Sequence, residues 1–130
     1  MMVLKTKAHF SESLEDYLEA IFMLGGSNVR SIDIANRLNV SRASVNKAVN
    51  TLIDNLMVHK QPYGNISLTE YGLEISKRVE NKHQILRKFL IDVLGVEETV
   101  ANNEACAIEH NISDDTASKI EAMINNTKRS

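Results

Sequence analysis

The chain is poor in the residues that interrupt helices: 130 residues hold one proline and five glycines. Few turns and much helix are therefore expected. A single cysteine, Cys106, excludes an internal disulfide and fits a reducing compartment. Long apolar runs are missing as well. The longest, Ala20 to Leu24, has five residues, where a membrane span needs roughly 18. Met1 to Phe10 carries lysines but no apolar stretch of signal-peptide length, so a cytoplasmic location is expected. There is no excess of positive charge either. The net charge of −2 argues, taken alone, against a nucleic-acid partner. The sum hides a difference between the two halves. Residues 1–63 hold seven Lys and Arg against six Asp and Glu, and residues 64–130 hold eight against eleven. Total charge misleads if the acids are gathered around a cation.

What is present is ordinary globular composition, 43% apolar and 25% charged, in a length that suits one domain or two small ones. Leu14, Tyr17, Leu18, Ile21, Phe22 and Leu24 recur at helical spacing, so a helix is expected from about Ser13, its cap, to Leu24. Gly25-Gly26-Ser27 stops it. A short helix follows from Ser31 to Leu38, then a turn at Asn39-Val40, then a helix capped by Ser41 and reaching about Asn55. Leu56 to Gln61 and Ile66 to Leu68, joined by Pro62-Tyr63-Gly64-Asn65, read as a β-hairpin. Thr69 caps a long helix from Glu70 to Leu94, closed by Gly95. A fifth helix is expected over Glu97 to Asn111 and a sixth, capped by Ser113, over Asp114 to Asn125, with Asn126 to Ser130 frayed.

Helix, turn, helix, hairpin is the order of a winged helix-turn-helix. The second helix of the pair has the matching chemistry. Its outer side shows Arg42, Ala43, Asn46, Lys47 and Asn50, with Ser41 and Ser44 at its start. Short polar groups suit base edges, cations suit guanine or phosphate, and a methyl suits thymine. No acid occurs from Ser41 to Thr51. Lys60 and Tyr63 would lie on the wing, and Arg30 and Arg37 add cations nearby. The same motif also serves as a packing unit in proteins that never touch DNA.

The fifth helix carries Cys106, Glu109 and His110, which at about 100° per residue share one face. Thiolate, carboxylate and imidazole together make half of a transition-metal site. A small buried cysteine beside an exposed Glu-His pair would give the same pattern. Asp16 and Glu19 share a face of the first helix, where acids also serve the helix dipole. His83 stands in the apolar stripe Val79, His83, Leu86, Leu90, as either a ligand or a hydrogen-bonded core histidine. His9 and His59 read as surface residues.

Over nearly its whole length the chain resembles the diphtheria-toxin-repressor family of metal-dependent transcriptional repressors, in its short manganese-responsive branch. The resemblance is carried by Ser13-Leu14-Glu15-Asp16-Tyr17-Leu18-Glu19-Ala20-Ile21, Asp33-Ile34-Ala35, Val40-Ser41 through Val45, and Tyr63 through Thr69 with Gly72. It continues in Lys82-His83, Phe89-Leu90, Leu94-Gly95-Val96 and Glu104-Ala105-Cys106 through Ile112-Ser113. It implies a mostly α-helical protein: a winged helix-turn-helix DNA-binding domain over residues 1–72, then a helical metal-binding and dimerisation domain over 73–130. It also implies a homodimer on double-stranded operator DNA. Ligands at Asp16, Glu19, His83, Cys106, Glu109 and His110 would hold one or two divalent ions, Fe(II) or Mn(II). Manganese-type members carry a glutamate where Cys106 stands. Iron-type members carry that cysteine, but a methionine where Asp16 stands and a non-ligand where Glu19 stands. The carboxylate of the iron-type second site is Arg87 here, and Asn102 replaces another of its ligands.

Control of metal-homeostasis genes is the expected function, with no membrane and no small organic ligand as partner. The alternative is a winged-helix regulator that senses no metal, with Cys106 as a redox or packing residue. An enzyme is not expected, since the chain has no phosphate loop, nucleophile elbow or H-E-x-x-H motif.

Overall fold

The computed structural model describes the backbone of residues 12–129, so His9 and Ser130 lie outside the described residues. Those residues form six α-helices and one hairpin, in two compact units divided between Ser76 and Lys77.

In the first unit α1 spans Glu12–Met23, α2 Ser31–Leu38 and α3 Arg42–Asp54, followed by β1 (Val58–Lys60) and β2 (Ile66–Leu68). The apolar stripes meet as their spacing requires. Tyr17, Leu18 and Ile21 of α1 share one core with Ile34 and Ala35 of α2 and Val45, Val49 and Leu52 of α3. Helix α1 already includes Glu12, so Ser13, the expected cap, lies inside the first turn. Gly25 and Gly26 end α1 at φ of 114° and 76°, and the Gly26 N–H donates to the Ile21 carbonyl. Asn39 ends α2 at φ 57°, which gives the tight turn before α3. Ser41 caps α3 as expected, its Oγ accepting from the Ser44 N–H at 3.0 Å.

The hairpin pairs Val58 with Leu68 and Lys60 with Ile66. A further pairing escaped the sequence pattern. Val29, in the loop after α1, exchanges two 2.8 Å backbone bonds with Ile66. One paired residue is too short for an alternating pattern to register.

Three described non-glycine residues have positive φ: Asn28, Asn39 and Leu56. Asparagine tolerates that region; leucine does not. Leu56 holds φ 62° with a side chain 73% exposed, so packing gains little from it. The left-handed conformation costs roughly 1–2 kcal/mol. Leu56→Asn is expected to stabilise the first unit by about 1 kcal/mol, seen as a Tm rise of roughly 4–8 °C in a thermal melt. An unchanged Tm would show that no strain is stored there.

Helix α4 (Glu70–Lys88) passes through the division between units. Thr69 caps it, with Oγ1 accepting from the Gly72 N–H at 3.0 Å while the hydroxyl donates to the Leu56 carbonyl at 2.7 Å. The helix does not run on regularly to Leu94. Phe89–Val93 forms a π-helical turn, and Gly95 follows at φ 72°. The wider turn re-phases the apolar stripe. Leu86 and Leu90 join a cluster with Ala101 and Ala105, while Phe89 and Val93 join Ile85, Ala117 and Ile124. Helix α5 spans Glu98–Glu109, and Glu97 caps it by accepting from the Thr99 and Val100 N–H groups. Helix α6 runs Asp114–Arg129, so Asn126 to Arg129 are helical and not frayed. No described helix is long and apolar enough to cross a membrane.

Candidate metal centre and DNA-binding face

In the first unit, Val45, Ala48, Val49 and Leu52 turn one face of α3 into the core. That leaves Arg42, Ala43, Asn46, Lys47 and Asn50 exposed on the other, with Ser41 and Ser44 exposed at its start. Arg30, Arg37, Lys60 and Tyr63 are exposed too. The wing tip is a tight turn in which the Gln61 N–H donates to the Asn65 carbonyl at 2.7 Å, and Tyr63 stands 83% exposed. His59 is exposed, as its position suggested. Arg30 differs from the other cations, because its guanidinium donates to both Asp33 oxygens, at 2.9 and 3.2 Å. Asp16 is exposed and Glu19 half-buried on α1.

In the second unit, α5 stacks Asn102, Cys106 and Glu109 at i, i+4 and i+7, and this stripe meets His83 of α4. One donor atom from each of His83, Cys106 and Glu109 falls within 4.8 Å of the others. The His83 Nδ1–H donates to Glu109 Oε1 at 2.6 Å, and its Nε2–H donates to Asn102 Oδ1 at 2.9 Å. Cys106 Sγ lies 3.7 Å from His83 Nδ1. An acceptor on each ring nitrogen holds His83 as an imidazolium. The Glu109 bond, opposed by burial, pushes its pKa up to about 9.

Burial is the reverse of a packed cysteine beside a surface Glu-His pair. Cys106 is exposed, whereas Glu109 is fully buried at 0%. The Glu109 Oε2 oxygen has no hydrogen-bond partner among the described residues, and His110 Nε2 stands 3.5 Å from it. A buried carboxylate is costly unless its lone pairs are satisfied. A Glu109 carboxylate oxygen, the His83 imidazole once it has lost a proton, and a reachable thiol form an N, O, S donor set that fits a first-row transition ion. Arg87 cannot ligate a metal, and it donates to Glu98 at 2.8 Å. Asn102 had figured in the sequence only as a lost ligand. Its four- and seven-residue spacing from Cys106 and Glu109 was the signal that it shares their face.

A serine-capped helix with an exposed polar face and no acid from Ser41 to Thr51, beside a wing and followed by a helical unit that carries metal-donor side chains, has the chemistry of a metal-responsive DNA-binding regulator. Known proteins agree for each unit. Residues 9–66 match the iron dependent repressor N-terminal DNA binding domain, and residues 69–130 match the iron dependent repressor metal binding and dimerisation domain. A helix-turn-helix-type transcriptional regulator of Methanocaldococcus jannaschii is 35% identical over 121 residues, covering 91% of this chain and 97% of the relative. The transcriptional regulator MntR of Bacillus subtilis is 34% identical over 114 residues, covering 86% and 80%. The solved structure of the manganese regulator SloR matches with a TM-score of 0.76 and 26% identity, over 86% of this chain. The chain spans about half the length of that solved chain, 53%. The chain belongs to the diphtheria-toxin-repressor family of metal-dependent transcriptional repressors. It is a regulator and not an enzyme.

Proposed function

We propose that this chain represses metal-homeostasis genes, binding operator DNA as a homodimer when Fe(II) or Mn(II) is held by Asp16, Glu19, His83, Cys106, Glu109 and His110. The observation that carries the reading is the buried Glu109 carboxylate, with one oxygen that faces His110 without a hydrogen bond and with His83 and Cys106 beside it. Iron is supported by the family description of both domains, and manganese by the likeness to the regulator SloR. The donor chemistry spans both ions, since carboxylates suit Mn(II) and a thiolate draws toward Fe(II).

The proposed donors include three carboxylates and a thiolate, so without a cation they repel one another. A divalent ion removes that repulsion and lowers the negative charge a DNA-binding protein must carry toward phosphate. Metal then favours the arrangement that spaces two recognition helices in the dimer. DNA tightens metal binding by the same coupling free energy, typically about 1–3 kcal/mol. Base and phosphate contacts are proposed for Arg30, Arg37, Ser41, Arg42, Ala43, Ser44, Asn46, Lys47, Asn50, Lys60 and Tyr63.

The test is anaerobic fluorescence anisotropy of a labelled promoter fragment from the protein's own locus, at fixed salt. The titration is run with Fe(II), with Mn(II) and with chelator. Tight binding is expected only with metal, and the better ion shows whether Cys106 or the carboxylates set the response. Equal binding in all three conditions would overturn the metal gate and leave a winged-helix regulator in which Cys106 oxidation is the next suspect.

A further inference from the structure

We infer that Asn102 is a positioning residue for the metal centre: it holds His83 through Nε2 so that the imidazole offers Nδ1, the nitrogen facing Cys106 and Glu109, to the ion. The inference rests on the reading of this cluster as a metal centre and adds to it a residue outside the donor set.

Three observations carry it. First, the two ring nitrogens of His83 are bound on different terms. Nδ1 sits 2.6 Å from Glu109 Oε1 and 3.7 Å from Cys106 Sγ, among groups that can share a cation. Nε2 sits 2.9 Å from Asn102 Oδ1, a neutral acceptor. Second, Asn102, Cys106 and Glu109 stand on one helix at i, i+4 and i+7. The acceptor that orients the ring and the donors that share the ion are therefore set by the same rigid element. Third, Arg87, one turn after His83 on α4, is a cation paired with Glu98 and offers no donor atom to an ion.

The consequence follows from tautomer chemistry. A histidine that ligates through Nδ1 must keep its proton on Nε2, and the hydrogen bond made by the other nitrogen decides which one is metallated. To serve as a ligand through Nδ1, His83 would have to release the proton it now donates to Glu109 to solvent. The bond from Nε2–H to Asn102 is the ring contact that need not change. It keeps the ring turned toward Cys106 and Glu109.

Zn(II), which is diamagnetic, is the probe. Its affinity is measured by competition with a chromophoric chelator, and the His83 ring nitrogens are read by long-range proton–nitrogen NMR of the zinc-loaded protein. The wild type is expected to show a metal-bound Nδ1 and a protonated Nε2. Asn102→Ala is expected to weaken zinc binding by roughly 10–100-fold and to lose that single ring pattern. Asn102 is exposed, so circular dichroism should show both units folded. Asn102→Asp, which keeps an acceptor oxygen in place, should restore both readouts. His83→Ala separates the layers of the argument. If His83→Ala binds zinc like the wild type, the metal-centre reading fails. If His83→Ala loses affinity while Asn102→Ala keeps wild-type affinity and ring pattern, the positioning role alone is overturned. Zinc on Nε2 in the wild type would overturn it as well.

Discussion

Glu109→Gln is expected to abolish metal-dependent operator binding while leaving both units folded. The glutamine carbonyl can still accept from His83 Nδ1–H, which now meets Oε1 at 2.6 Å. The shape is kept and the charge is lost. In the metal-free protein two effects oppose each other: the exchange relieves the desolvation penalty of a fully buried carboxylate whose Oε2 lacks a hydrogen bond, and it removes the anionic partner of protonated His83, so its cost is confined to pH below about 9. With metal the loss dominates, since the anionic oxygen is what a divalent ion would need. Metal affinity should fall on the order of 100-fold or more, beyond the typical cost of losing an outer hydrogen-bond partner. A pH readout checks that the substitution acts where it is meant to. The His83 pKa is raised from 6.5 to about 9, chiefly by Glu109. In metal-free wild type this contribution to stability is fully present below pH 6.5 and is lost as pH rises through about 9. In Glu109→Gln the fall across that window should largely disappear. Wild-type operator affinity in the presence of metal, measured on a folded variant, would sink the assignment of Glu109.

Most of the fold was legible because it follows from periodicity and punctuation. The stripe Tyr17, Leu18, Ile21 and the cap Ser41 are local signals, and both appear where the spacing puts them. What escaped is non-local or a departure from regular geometry. Val29 pairs with Ile66 across a loop, through a single residue. The π-helical turn at Phe89–Val93 answers two apolar clusters that only tertiary packing defines. The donor cluster of the second unit was legible as residue types at i and i+3 on α5, together with a histidine in an apolar stripe. Its burial was not. Nothing in the spacing shows that Glu109 is enclosed while Cys106 is exposed, since that depends on which side of α5 meets α4. The outer face of α3 was readable as chemistry, because an acid-free run needs no tertiary information.

Gly72→Ala is expected to give the largest loss of stability in the first unit, for a steric reason that its backbone angles do not reveal. Gly72 lies in the first turn of α4, and its φ is not in the positive range. A Cβ built there would clash with the Met57 carbonyl oxygen and lie 2.9 Å from its carbonyl carbon. Neither side can retreat cheaply. The Met57 carbonyl accepts from the Thr69 N–H at 3.0 Å, and the Met57 N–H donates to the Leu52 carbonyl at 2.9 Å. The Met57 side chain is itself buried, at 1% exposure. On the other side the Gly72 N–H is held by Thr69 Oγ1 at 3.0 Å, and the Gly72 carbonyl accepts from Ser76 Oγ at 2.8 Å. Added volume at a site that cannot relax costs about 3 kcal/mol, a Tm loss of roughly 12–24 °C for a unit of this size. Gly64→Ala supplies the contrast. At φ 90° the wing-tip glycine needs its conformational freedom, but nothing lies within 4 Å of an added Cβ. Its cost should be confined to backbone strain, roughly 1–2 kcal/mol. A larger Tm loss for Gly64→Ala than for Gly72→Ala would mean that α4 and the start of β1 do not approach as closely as their backbone bonds require.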